Sequence, residues 1–444
     1  MKTAFHNTWF ILAAGLISAL AYLWLAVSSQ SYGDASLWQL YAVALPCFFL
    51  SMLVFVRYWL HDDPFPVGIM FGFAVLFRII GVYTFPILED DIFRFLWDGR
   101  MTVETGTPYA IAPIDFFSAE NIPERFETIL GAINHPNIAT IYGPLCQWVF
   151  ALGYLIAPGE TWPLQLVFGL ADLGVILLLL RLAKPIYVLL YAWSPLIIKE
   201  FVITAHPDVL GVLFMVAAIL ACKHRSFVAA GAFMALACGV KVFALMLVPF
   251  LLGFQWRAYL AFSVTAILVA APFGVIEAWF PSGLAAMGGD WLFNAPIYLL
   301  MLPWVSVQTT KLVLLGLLAL ACAIYLFSFL RDWEPTKVRG DLLFAALFLA
   351  TPALNAWYLV WLLPFAVLYP SIWAWTASLS IFLAYASGIN LEDPILGSYD
   401  IPLWIVLLEV GIVTLAALLR PAIKTRFTQR KARINSRPGE RRIT

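Results

Sequence analysis

Charge is what this sequence has least of. Asp, Glu, Lys and Arg make up 12% of its 444 residues, where a soluble domain carries about 25%. Too little polar surface remains to cover a globule in water, which excludes soluble enzymes and scaffolds. Cysteine is nearly as scarce. Cys47, Cys146, Cys222, Cys238 and Cys322 all lie in apolar stretches without a CxxC spacing, so they read as core filling rather than a disulfide or metal framework. No glycine-rich phosphate-cradling loop occurs, and nothing points to a nucleotide or to nucleic acid. Repeats and low-complexity segments are also missing, apart from a basic tail. Nine of the 26 Lys and Arg fall between Arg420 and Arg442, against the single carboxylate Glu440, so the formal net charge of zero hides a strong asymmetry.

What is abundant is apolar length: 63% of residues are hydrophobic and the mean hydropathy is +0.90. A span needs about 20 apolar residues. The candidates are 9–28, 38–57, 66–86, 163–181, 185–203, 207–222, 226–238, 240–254, 257–276, 311–330, 341–351, 354–369, 372–388 and 401–419. The first, longer than a signal-peptide core and without a clear cleavage site, reads as a retained span. The positive-inside rule places the basic tail 420–444 in the cytoplasm. Counting back from the tail and forward from Lys2 gives about 14 spans with both termini inside, provided the short apolar run 144–157 is re-entrant or interfacial. The expectation is an all-α polytopic bundle, one membrane domain over 1–419. Two outer segments follow, 87–143 and 277–310. The first holds nine carboxylates against three arginines; the second carries Gly288-Gly289-Asp290-Trp291-Leu292-Phe293-Asn294. Long ordered loops on so hydrophobic a chain are usually functional.

The densest polar cluster is Glu89-Asp90-Asp91-Ile92-Phe93-Arg94-Phe95-Leu96-Trp97-Asp98-Gly99-Arg100, just past the third span. On a helix, Asp91, Arg94 and Asp98 share a face. The bland reading is an N-terminal carboxylate cap followed by an Arg94–Asp98 pair. The sharp reading is a general base beside an arginine that binds an anion. Three adjacent carboxylates repel one another, which is costly at a membrane rim unless used. Further on, Asn134-His135-Pro136 and Tyr142-Gly143-Pro144 read first as turns, and His135 as a turn residue before a metal ligand. His206-Pro207-Asp208 opens a helix, so Asp208 reads first as a cap. Lys241 sits inside a span, a functional-site hypothesis by default, with snorkelling as the alternative. Asn355, with Trp357 and Tyr358, follows the break at Pro352. An aromatic belt accounts for the rings but not for Asn355.

At these residues the sequence resembles the GT-C superfamily of integral-membrane glycosyltransferases, specifically bacterial polyprenyl-phosphate-mannose-type transferases. Members read approximately D-D-I-Y-R-Y-L-W-D-G-R, G-x-N-P-Y, N-H-P, T-I-Y-P-P and N-P-W-Y-L-L-W-L-L-P. The counterparts here are Asp90–Arg100, Gly106-Thr107-Pro108-Tyr109, Asn134-His135-Pro136, Thr140-Ile141-Tyr142-Gly143-Pro144 and Asn355–Pro364, within residues 85–365. Thr107, Gly143 and Ala356 depart from the pattern. The resemblance implies Asp91, in preference to Asp90, as catalytic base and Arg94 as a ligand of the donor phosphate. More weakly, it implies roles for Asp208 and Lys241.

The leading expectation is an inverting transfer of a hexose, mannose by the resemblance, from a polyprenyl phosphate to an acceptor hydroxyl. It would take place at the outer face of a bacterial inner membrane, the acceptor being a glycan or glycolipid. Arg94 and Lys241 would hold the donor phosphate. Asp98, His135, Tyr142, His206, Asp208, Asn355, Trp357 and Tyr358 would surround the substrates. No cofactor is required and no metal ligands are assigned, although a divalent ion at Glu89, Asp90 and His135 is not excluded. The rivals are a lipid-linked-sugar transporter, which should show inverted repeats and mid-membrane breaks, and a non-catalytic subunit docking through its acidic loop.

Overall fold

In a computed structural model, residues 2–31, 33–61, 63–287, 291–391 and 395–435 are described. Helix makes up 74% of the chain, with no strand among the described residues. In order, the first half holds α1 (Lys2–Ser28), α2 (Leu37–His61), α3 (Val67–Val82), α4 (Asp91–Thr105), α5 (Glu124–Gly131), α6 (Pro144–Ile156) and α7 (Trp162–Leu182). There follow α8 (Pro185–Ala192), α9 (Pro195–Ile197) running into a π turn over Ile198–Ile203, α10 (Asp208–Lys223), α11 (Phe227–Cys238), α12 (Val248–Leu252) and α13 (Trp256–Ala270). The remainder comprises α14 (Val275–Trp279), α15 (Ser282–Met287), α16 (Pro296–Met301), α17 (Val307–Arg331), α18 (Gly340–Ala350), α19 (Leu363–Leu368), α20 (Ile372–Ser380), α21 (Gly388–Leu391) and α22 (Leu403–Asn435). The chain is a helical membrane bundle.

Among the described residues six helices are long and apolar enough to cross a bilayer, in α1, α2, α7, α13, α17 and α22, and the bent pair α8–α9 would make a seventh if taken as one span. Several of the fourteen expected spans are instead apolar helices of 10–17 residues, among them α3, α11, α18 and the Ile372–Tyr385 segment. Proline and glycine explain the shortening. Pro195 bends one helix by 47°, and Gly239, Pro249 and Pro352 lie at other breaks. The troublesome run at 144 becomes α6, a 13-residue helix about 20 Å long, too short to cross alone.

The core is densest around α7–α10, where Leu189, Tyr191, Trp193, Leu196 and Phe201 are fully buried. A charge pair sits inside it. Arg78 donates to Asp172 at 2.5 and 2.8 Å and to the carbonyls of Ala74 and Ala192, while Tyr191 donates to the other Asp172 oxygen. Every polar atom of the pair that is named here has a partner, which is what makes such burial tolerable. Around this core the outer helices turn apolar side chains outward. The hydropathic window of α17 contains no buried residue, as suits a helix whose solvent is lipid.

Two features position the site. In α4, Gly99 passes so close to α6 that a Cβ there would meet the Phe150 carbonyl at 2.4 Å. At Gly143 a Cβ would lie 2.3 Å from the Gly239 carbonyl, which also accepts the Leu145 N–H at 3.0 Å. A side chain at either glycine would separate the acidic segment from its neighbour. The second contact gives the departure from proline at 143 a physical reason.

Candidate active site

The α4 helix begins at Asp91 and ends at Gly106, whose φ of +84° supplies the left-handed cap. Asp90 occupies the N-cap position, but its side chain makes no capping bond to the helix. It turns to the 134–142 segment instead. Asn134 Nδ2 donates to Asp90 Oδ1 at 2.6 Å and to Asp91 Oδ1 at 3.3 Å, and Tyr142 OH donates to Asp91 Oδ2 at 3.1 Å. One turn along, Arg94 donates to the carbonyls of His135 and Ile138 at 3.2 and 2.8 Å. The expected Arg94–Asp98 ion pair does not form among the described residues. Asp98 is buried and accepts from Thr140 Oγ1 at 2.5 Å and Gln147 Nε2 at 3.3 Å.

These groups open into a cavity of about 680 Å³. Its polar wall includes Asp90, Asp91, Arg94, His135 and Tyr142. Lys241 enters from the turn after α11, with Asn355, Trp357 and Tyr358 beside it. The facing wall is apolar, built from residues such as Phe262, Ile267, Trp279, Phe280 and Leu284. The 277–310 segment reaches the cavity through a backbone clip: Phe293 N–H donates to the Pro352 carbonyl at 3.0 Å, and Leu354 N–H to the Phe293 carbonyl at 2.8 Å. Trp291 and Phe293 thereby line the cavity; Gly288-Gly289-Asp290 lies outside the described residues.

Three of the expected substrate-binding residues stand behind the wall, not on it. Asp98 is one. Asp208, 2% exposed, accepts from Lys241 Nζ at 2.9 and 3.2 Å and from Trp361 Nε1 at 2.6 Å. It holds Lys241 in place, and Lys241 also lies 4.1 Å over the Tyr358 ring. His206 is stacked on Trp357 with ring centroids 4.1 Å apart. Its Nε2 is 3.2 Å from Glu89 Oε2 and 3.6 Å from Asp91 Oδ2, and its Nδ1 is 3.5 Å from Glu200 Oε2. These are ion-pair distances; neither Nε2 nor Glu89 Oε2 has a partner in hydrogen-bonding geometry.

The electrostatics separate two adjacent carboxylates. Burial and the neighbouring Asp91 charge push Asp90 up to about 7. Burial acts on Asp91 in the same direction, but His206, with help from Asn134 and Tyr142, outweighs it and holds Asp91 below the usual carboxylate range. Burial by itself depresses His206, and the carboxylates of Glu89, Asp91 and Glu200 reverse that and raise it. Asp98 is pushed up to about 6 by burial despite Arg94. Neighbours with opposed protonation preferences are a recurrent mark of acid–base sites.

Sequence reasoning missed a second layer. Lys199, in the π turn, ion-pairs with Glu89 and Glu200 and donates to Tyr385 OH. Tyr385 OH lies within hydrogen-bond distance of both carboxylates, Glu89 Oε1 at 3.0 Å and Glu200 Oε1 at 2.9 Å, and its one proton serves one of them at a time. Adjacent charges at the end of an apolar run were the available signal, and π turns often occur at functional sites. Glu89, Glu200 and His206 could place three ligand atoms within 4.8 Å of one another, but the Lys199 ammonium already supplies a cation to both glutamates.

The family model described as alpha-(1->6)-mannopyranosyltransferase, N-terminal domain, matches residues 9–257, more than half of the chain. The chain belongs to this mannosyltransferase family. It is thereby a member of the GT-C superfamily. The mannopyranosyltransferase match contains Asp90, Asp91, Arg94 and Lys241 and ends before Trp291, Asn355 and Tyr385. No curated protein and no solved structure matches the chain.

Proposed function

We propose that this mannosyltransferase takes mannose from a polyprenyl-phosphate donor and transfers it with inversion to an acceptor hydroxyl, at the outer face of a bacterial inner membrane. The observation that carries the reading is one cavity with a carboxylate base, two cations and an apolar wall. Asp91, kept ionised, takes the acceptor proton as that oxygen attacks the anomeric carbon. The bond from that carbon to the donor phosphate breaks, and the polyprenyl phosphate leaves with the electron pair. Arg94 and Lys241 face the charge that develops on it. The apolar wall suits a prenyl chain arriving from the bilayer, and a glycan or glycolipid acceptor meets it from the aqueous side. In this assignment one membrane domain spans 1–419, with 87–143 and 277–310 outside and the basic tail 420–444 inside. Asp98, Asp208 and His206 act through the residues they hold. The transporter alternative draws no support from membership of a transferase family.

The test is transfer of labelled mannose from synthetic polyprenyl-phosphate mannose in membranes containing the protein, with Asp91→Asn at equal protein level. Loss of about 10²–10⁴-fold in rate is expected for removal of a general base. Equal rates would remove Asp91 from the chemistry.

A further inference from the structure

Three aromatic rings from three distant parts of the chain meet in the cavity beside the base, and the proton transfer does not use them. His135 comes from the turn between α5 and α6, Trp291 from the second outer segment and Tyr399 from the loop before α22. All three line the cavity. The His135 and Tyr399 rings are stacked with centroids 5.5 Å apart and 28° between planes. Trp291 stands 6.4 Å from His135 at 67° and is itself stacked on Phe293 at 6.0 Å.

Two details tie this platform to the reacting end. Tyr399 OH donates to Asp90 Oδ2 at 3.4 Å, while Asn134, next to His135, donates to both Asp90 and Asp91. His135 itself is held at φ +45°, in the left-handed region that a non-glycine residue enters only when its surroundings enforce it. In that conformation its carbonyl accepts from Arg94 while its ring faces Tyr399. None of the three rings is fully buried, so this is a partly open surface and not core packing.

The chemistry of such a surface is specific. A pyranose has C–H-rich faces, which the electron-rich face of an aromatic ring attracts, and a rim of hydroxyls, which a carboxylate and an amide can bond. We propose that His135, Tyr399 and Trp291 form the platform for the acceptor's sugar, with Asp90 and Asn134 bonding its hydroxyls so that one faces Asp91. This rests on the transferase reading for its role, while the binding itself is measurable without turnover.

The probe is a soluble α-linked mannobiose added to the purified full chain in detergent, followed by saturation-transfer NMR on the sugar C–H protons. The wild type gives transfer, and Trp291→Ala and Tyr399→Ala each weaken binding about tenfold, equivalent to about 1.4 kcal/mol. Trp304→Ala, an exposed tryptophan (77%) that does not line the cavity, leaves it unchanged. In the transfer assay the same two variants raise the acceptor KM about tenfold and leave kcat and the donor KM unaltered, the signature of lost binding that is uniform between ground and transition states. No saturation transfer to mannobiose in the wild type overturns the proposal. So does equal binding by both variants, or a rise in donor KM instead of acceptor KM. If mannobiose binds through the platform but no mannose is transferred, the transferase reading fails and the saccharide site stands.

Discussion

Asp91 has to remain ionised in a place where burial works against it, and the neighbouring imidazole is what decides the outcome. Positive charge on His206 favours the carboxylate form of Asp91, so the acid limb of the pH–rate profile belongs below the ordinary carboxylate range. In His206→Gln that charge is gone while the burial remains, so Asp91 rises and the limb moves to higher pH. Measurement of kcat/KM against pH for the two proteins checks this, and an unmoved limb would detach His206 from the base. At this scale the sequence was informative wherever chemistry is local. The run of three carboxylates, the Asp91–Arg94 spacing and a lysine inside an apolar stretch were all conspicuous. His206 was visible too, but not its placement behind the wall, because a side chain's facing depends on which helix it stacks against. Tyr399 carried no local mark, since its role comes from a loop more than 250 residues distant in the chain from His135.

Among elements, close backbone approach explains more than hydrophobic pattern does. Gly99→Ala drives a methyl into the α6 backbone, and a loss of about 1–3 kcal/mol in unfolding free energy is expected, the range for overpacking. Denaturation of the detergent-solubilised protein measures it. Asp172→Ala leaves Arg78 buried and unpaired, at a cost of about 3–5 kcal/mol, whereas the double change Arg78→Met with Asp172→Leu should recover most of that. Failure of the double variant to recover would show that the pair orders the α3–α7 contact in addition to neutralising itself. The long apolar helices were readable from length and composition alone. The short ones were not, because a 12-residue helix ending at Gly239 and a span interrupted there have the same hydropathy. Only packing against α10 and α13 distinguishes them.

For the molecule as a whole, sidedness is the property that the transferase assignment most depends on. The native thiols of Cys47, Cys146, Cys222 and Cys238 are buried and Cys322 on α17 is half-buried, so a Cys322→Ala background leaves the introduced cysteines as the reactive ones. Glu120→Cys, exposed in the 87–143 segment, should react with a membrane-impermeant maleimide in intact spheroplasts if that segment lies outside, and Lys223→Cys should react only after lysis. The reverse pattern would turn the cavity toward the cytoplasm and remove the outer-face assignment. The seam between Gly143 and Gly239 bears on the same scale in mechanical terms. With Leu145 hydrogen-bonded across it and no side chain separating the two backbones, the strand of chain that carries Tyr142 and the turn that carries Lys241 are riveted together. The carboxylate side of the cavity and its ammonium therefore share one backbone anchor.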